Sequence, residues 1–183
     1  MVNRITNLFA EGKVVYTDGG VLAEFAWVLV VLPFVAALII TFIGKSLPMK
    51  GAEVALGTIG IIFVYSVALM FLHITEGIAN EFFINVGSIG QFDIEFGWVV
   101  DGLSIMMYFV VGLVALLVFI YATNYMEGEI RYTFFFTSLT LFAGSMLVLV
   151  SSPTLIQILI GWELVGVCSY LLIGHYWEIK DNS

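Results

Sequence analysis

Leu159–Tyr176 reads LIGWELVGVCSYLLIGHY, a membrane-length apolar run with one charge, Glu163, in its middle. A carboxylate at the centre of a bilayer costs about 2.5–3.5 kcal/mol on insertion scales. A chain that keeps one there has a partner or a task for it. Working outward, the run belongs to a longer stretch, Tyr132 to Trp177, that carries no other charge. At about 1.5 Å per residue, a helix of that length is roughly twice what a ~30 Å hydrocarbon core needs, so the chain must turn back within it. Ser151-Ser152-Pro153 supplies the break, with two serines able to cap and a proline suited to the first turn of the next helix. The stretch divides into a span at about Thr133–Val150 and another at about Thr154–Gly174.

The whole composition agrees. Of the 183 residues, 61% are hydrophobic and 11% charged, with a mean hydropathy of +1.09. Soluble domains lie nearer ~45–50% apolar and ~25% charged, so this is an integral membrane protein. A net charge of −8 with six scattered Lys and Arg excludes a nucleic-acid partner, because phosphates need clustered basic side chains. The single cysteine, Cys168, rules out a disulfide framework and a cysteine-based metal site. His73 and His175 are too far apart to form a ligand pair by spacing, and no Gly-rich phosphate loop or dinucleotide motif occurs.

Three further spans precede these two. Residues 1–24 form a polar N-terminal tail with Arg4, Glu11, Lys13, Asp18 and Glu24. The apolar run after it lacks a small-residue cleavage site, so it reads as a span rather than a signal peptide. Phe25–Gly44 is the first span, with Pro33 as a point where it can kink. A short basic loop (Lys45, Pro48, Lys50) leads to the second span, Val54–Thr75. The connection 76–101 holds Glu76, Glu81, Asp93, Glu95 and Asp101 and no Lys or Arg. Phe92, Ile94, Phe96 and Trp98 alternate there with Asp93, Glu95 and Gly97, and Phe82–Val86 precedes Gly87-Ser88-Ile89-Gly90, which together predict a hairpin. Gly102–Met126 is the third span, with Tyr121 and Tyr125 at its interfacial end. The expected fold is all-α and integral to the membrane: five transmembrane helices, with a small extracytoplasmic β-hairpin between the second and third. Helices one to three occupy 25–126 and helices four and five 132–183. Lys45, Lys50, Arg131 and Lys180 follow the odd-numbered spans, which predicts a cytoplasmic C-terminus and places the N-terminus and hairpin outside.

Glu163 supports two readings. As a proton site, it would alternate between a dry setting that favours its neutral form and a nearby cation that favours its charged one. As a packing residue, it would hydrogen-bond a neighbouring helix and fix register. Tyr170, Ser169 and Gln157 are polar groups on its own helix, Gly166 leaves room for water or another helix, and no Lys or Arg lies within the spans. Asp101 reads as a helix N-cap and Glu53 as a solvated acid at a helix start. His73 and His175 read as interfacial, and Phe134–Phe136 with Met106, Met107 and Met146 as lipid-facing or packing residues.

Gly161–Gly174, GWELVGVCSYLLIG, resembles the GWE-x-x-G-x-x-SYLLIG signature of the largest antiporter-like, proton-pumping membrane subunit of respiratory complex I (NADH:quinone oxidoreductase, chain L type), in its N-terminal portion. Asp101-Gly102-Leu103-Ser104 is similar to the D-x-L-S that opens that family's third helix, and Ile120-Tyr121, Tyr125-Met126 and Arg131–Phe135 fit as well. The resemblance implies that Glu163 relays protons across the membrane arm. It implies no cofactor in this chain, with NADH, FMN, iron–sulfur clusters and quinone in partner subunits and no catalysis by this chain alone. The implied partners are the lipid membrane, other membrane-arm subunits including antiporter-like ones, and a lysine on a later broken helix. That lysine is not in this sequence, so the expectation is a truncated chain, a fragment, or a split subunit whose separate second chain carries the remaining helices. A multi-subunit Na⁺/H⁺ antiporter shares the Trp-Glu and LLIG spelling, and membrane-bound hydrogenases and carbon-concentrating complexes use similar subunits. A structural helix bundle of such a complex is the reading of another class.

Overall fold

A computed structural model describes residues 17–18, 20–89, 92–129 and 131–174. The tail's Arg4 and Lys13, the hairpin tip at Gly90, and His175 with Lys180 lie outside them. The elements in order are β1 (Thr17–Asp18), α1 (Gly20–Glu24), α2 (Trp27–Ile43) with a 3₁₀ turn at Gly44–Ser46, α3 (Ala52–Glu76), β2 (Ile78–Ile89), β3 (Phe92–Val100), α4 (Gly102–Tyr125), α5 (Tyr132–Ser151) and α6 (Leu155–Ile173). Five helices, α2 to α6, are long and apolar enough to cross a membrane, as expected, with ends within about two residues of the sequence boundaries.

The helices pack where glycine lets backbones approach. A Cβ on Gly112 of α4 would stand 3.3 Å from the Phe63 Cα of α3, and one on Gly144 of α5 3.1 Å from the Pro33 Cβ of α2. Pro33 therefore sits buried against α5, within a helix that continues through it. A Cβ on Gly161 of α6 would stand 2.9 Å from the Leu149 Cα of α5. α5 is the hub, packing against α2, α4 and α6. α6 is the edge helix: among the described elements it packs along its length only on α5.

Alternation in 76–101 produces a hairpin larger than expected, since β2 and β3 take up nearly the whole connection. The strands pair antiparallel with Phe82 opposite Trp98, whose rings stack at 4.4 Å. Such a cross-strand aromatic pair adds roughly 0.2–1 kcal/mol. β1 adds a short parallel edge to β2 at Thr17↔Ile78, a pairing too short to read from composition. Helix follows strand without a loop because Asp101 caps α4: its carboxylate accepts from Ser104 N at 2.7 Å and Ser104 Oγ accepts from Asp101 N at 2.7 Å. His73 at the end of α3 contacts Ile78 O through Nδ1 at 2.7 Å.

The break at Ser151-Ser152-Pro153 is where expected, but its chemistry differs. Both serine hydroxyls donate back to Val148 O, at 3.1 and 2.6 Å, and so close the end of α5. Pro153 stays outside the next helix, whose N-cap is Thr154, its hydroxyl accepting from Gln157 N. The serines prefer the carbonyls already one turn behind them, a local contact that needs no chain reversal.

The two ends of the bundle differ. At one, Thr133 Oγ1 donates to Lys50 O at 3.0 Å, joining the loops that carry Lys45, Lys50 and Arg131. At the other lie β1, the acidic hairpin and the α5–α6 turn, joined by Thr154 Oγ1 donating to Glu95 O at 3.1 Å.

Candidate functional site

α6 carries the candidate carboxylate, and its sequence explains its pose. Its buried residues are Gln157, Gly161 and Cys168, a single stripe at helical spacing that faces α5. Gly161 allows the close approach to Leu149, and the Cys168 Sγ lies 3.8 Å from Ser145 Oγ. Glu163 falls on the opposite side, about 140° around the helix from that stripe at 100° per residue. It is exposed, together with Leu159, Val167 and Tyr170, and a Cβ on Gly166 would meet nothing within 4 Å.

A glutamate buried against this chain's other helices is therefore not what the structure contains. Among the described residues the Glu163 carboxylate has no hydrogen-bond partner, and the polar groups read beside it serve elsewhere. Ser169 Oγ donates to Val165 O of its own helix at 2.9 Å. Tyr170 is exposed on the same open face. Gln157 turns away to the hairpin, its Oε1 accepting from Gly97 N at 2.9 Å and its Nε2 donating to Gly97 O at 2.8 Å. That role escaped the sequence because no local pattern signals a contact across sixty residues.

The other candidates resolve as structural. Asp101 is the N-cap of α4. Glu53 holds the turn before α3, accepting from Met49 N and Gly51 N, both at 3.2 Å. His73 ties α3 to β2. Phe136 is fully buried in contact with Phe119 and Tyr132, whereas Phe134 lies under the Arg131 guanidinium at 5.1 Å. Among the described residues no group of His, Cys, Asp and Glu could hold a metal ion. Within the described spans Glu163 is the one acidic or basic residue away from a helix end, since Lys45 lies in the 3₁₀ turn and Glu53 and Glu76 lie at the ends of α3.

Residues 87–136, from the hairpin through α4 into α5, match the family described as NADH-Ubiquinone oxidoreductase (complex I), chain 5 N-terminus. The chain belongs to this family and corresponds to its N-terminal portion. It is 40% identical over 167 residues to NAD(P)H-quinone oxidoreductase chain 5 of Synechocystis sp., covering 87% of this chain and 24% of that one. It is 37% identical over 165 residues to subunit 5, organellar chromatophore 1, of Paulinella chromatophora, covering 86% and 25%. The chloroplastic subunit 5 of Chlorokybus atmophyticus is 36% identical over 161 residues, covering 84% and 24%. This complex I chain thus spans about a quarter of the length of the curated relatives it matches. Its five apolar helices make it a multi-pass membrane protein.

Proposed function

We propose that the chain contributes to a proton-translocating unit in the membrane arm of an NAD(P)H:quinone oxidoreductase, with Glu163 as the relay carboxylate. The observation that carries this reading is the placement of Glu163. It is the one charge in the middle of a described span, and it faces the side of α6 that the other four helices leave open. Ionisable residues at that depth face a bundle interior or an aqueous cavity, and they mark ion pathways. A carboxylate there takes up a proton when its surroundings are dry and gives it up when a cation approaches. In the family the resemblance points to, that cation is a lysine on a later helix, and this chain supplies the acid.

NADH, FMN, iron–sulfur clusters and quinone belong in this reading to partner subunits, and the protein sits in an energy-transducing membrane among other membrane-arm subunits. The basic loops face the cytoplasm and the hairpin the opposite side. The test is Glu163→Gln in the native assembly. Proton movement per electron is expected to collapse while the subunit composition stays intact. Pumping at the wild-type ratio would remove the reading.

A further inference from the structure

The outer edge of β3 is sealed by side chains from two spanning helices. In an antiparallel strand, residues two apart turn their backbone groups to the same edge. Glu95, Gly97 and Val99 form such a series, and all three are met. Thr154 Oγ1 donates to Glu95 O at 3.1 Å, Gln157 brackets Gly97 with bonds of 2.9 and 2.8 Å, and Tyr108 OH donates to Val99 O at 3.0 Å. The Gln157 amide acts as a peptide group would, donating and accepting at one residue, so the first turn of α6 stands in for a further strand. Gly97 is also closed from its other side, where a Cβ would run into the Phe82 backbone carbonyl.

α6 otherwise has one lateral neighbour, α5, which it meets through the narrow stripe of Gln157, Gly161 and Cys168. The bonds of Thr154 and Gln157 tie its first turn to the hairpin as well. Gln157 is only 5% exposed, so losing its partner would strand a buried amide. Glu163 follows six residues later, about 9 Å further along the axis at 1.5 Å per residue. We infer that Gln157 is a positioning residue: its two-bond clamp on Gly97 sets the depth at which α6 presents the Glu163 carboxylate. The inference rests on the relay reading of Glu163 given above.

The test uses the full-length native chain in its assembled complex, with Gln157→Leu, Glu163→Gln and the wild type side by side. Two quantities are read: protons moved per electron, and the infrared stretch of a protonated carboxyl, assigned to Glu163 by its disappearance in Glu163→Gln. Gln157→Leu is expected to keep its subunits and its oxidation of NAD(P)H, to shift the assigned band, and to lower the proton ratio by roughly tenfold or more, as ångström misplacements do at reacting centres. A band and ratio unchanged in Gln157→Leu, beside a Glu163→Gln variant that fails to pump, would overturn the clamp and leave the relay standing. Wild-type pumping in Glu163→Gln overturns the relay, and the clamp falls with it. Should Gln157→Leu fail to assemble, Gln157→Asn, which keeps the amide but is one methylene too short to hold both bonds to Gly97, is read in the same way, with the same band shift expected and the same unmoved band overturning the clamp.

Discussion

Glycines 161 and 166 lie on one helix and demand opposite things. At Gly161 a methyl group would press on the Leu149 Cα at 2.9 Å and its N at 3.0 Å, backbone atoms that yield only if α6 moves off α5. Gly161→Ala should therefore destabilise the α5–α6 pair by about 1–3 kcal/mol, the usual range for overpacking. The thermal unfolding midpoint of the purified assembly measures it, and an unchanged midpoint would mean the two helices are less closely set. At Gly166 nothing within 4 Å obstructs a Cβ, so within this chain an alanine there meets no steric penalty. The spelling G-W-E-x-x-G shows both glycines, but not which one touches a neighbour. That depends on which face of α6 is covered.

The start of α4 shows how a local signal becomes an element boundary. Asp101 and Ser104 exchange two bonds of 2.7 Å, and the strand β3 ends one residue before the cap. Asp101→Ala removes the side-chain acceptor at a cost of about 0.5–2 kcal/mol. Faster hydrogen exchange at the Ser104 and Ile105 amides is the expected result, and unchanged rates would show that the helix start is held by packing alone. This cap was legible in the sequence because its partners are three residues apart. The cap of α6 falls at Thr154, two residues beyond Ser152, while Ser151 and Ser152, the caps expected from the sequence, close the helix before it. Which of several adjacent hydroxyls caps a helix depends on where the chain reverses, and Glu95 O drawing the Thr154 hydroxyl is part of that.

Across the whole molecule, the described Lys and Arg residues lie at one end, with Glu53, Glu127 and Glu129 among them, while the hairpin end carries acidic groups and no described Lys or Arg. The loops of Lys45, Lys50 and Arg131 gather at one end, joined through Thr133, and the hairpin with Glu81 and Glu95 closes the other. With the basic end cytoplasmic, a cysteine placed at Lys45 should react with an impermeant maleimide from the cytoplasmic face, and one at Glu81 from the opposite face. Labelling with the sides exchanged would invert the orientation and leave the fold as it is.

The sequence by itself determined the five spans, the hairpin, the cap at Asp101 and the singling out of Glu163. Each rests on signals within one or two turns of chain: hydropathy over a span, alternation along a strand, a side chain three residues from its partner. Only the tertiary structure decided which way Glu163 faces, that Gln157 serves the hairpin, that Pro33 packs on Gly144 and that α6 lies at the edge of the bundle. The reason is physical. In a helix apolar on all sides, composition carries no stripe to mark the covered face. Which face is covered depends on backbone approach between segments distant in sequence, and it is settled only when the helices meet.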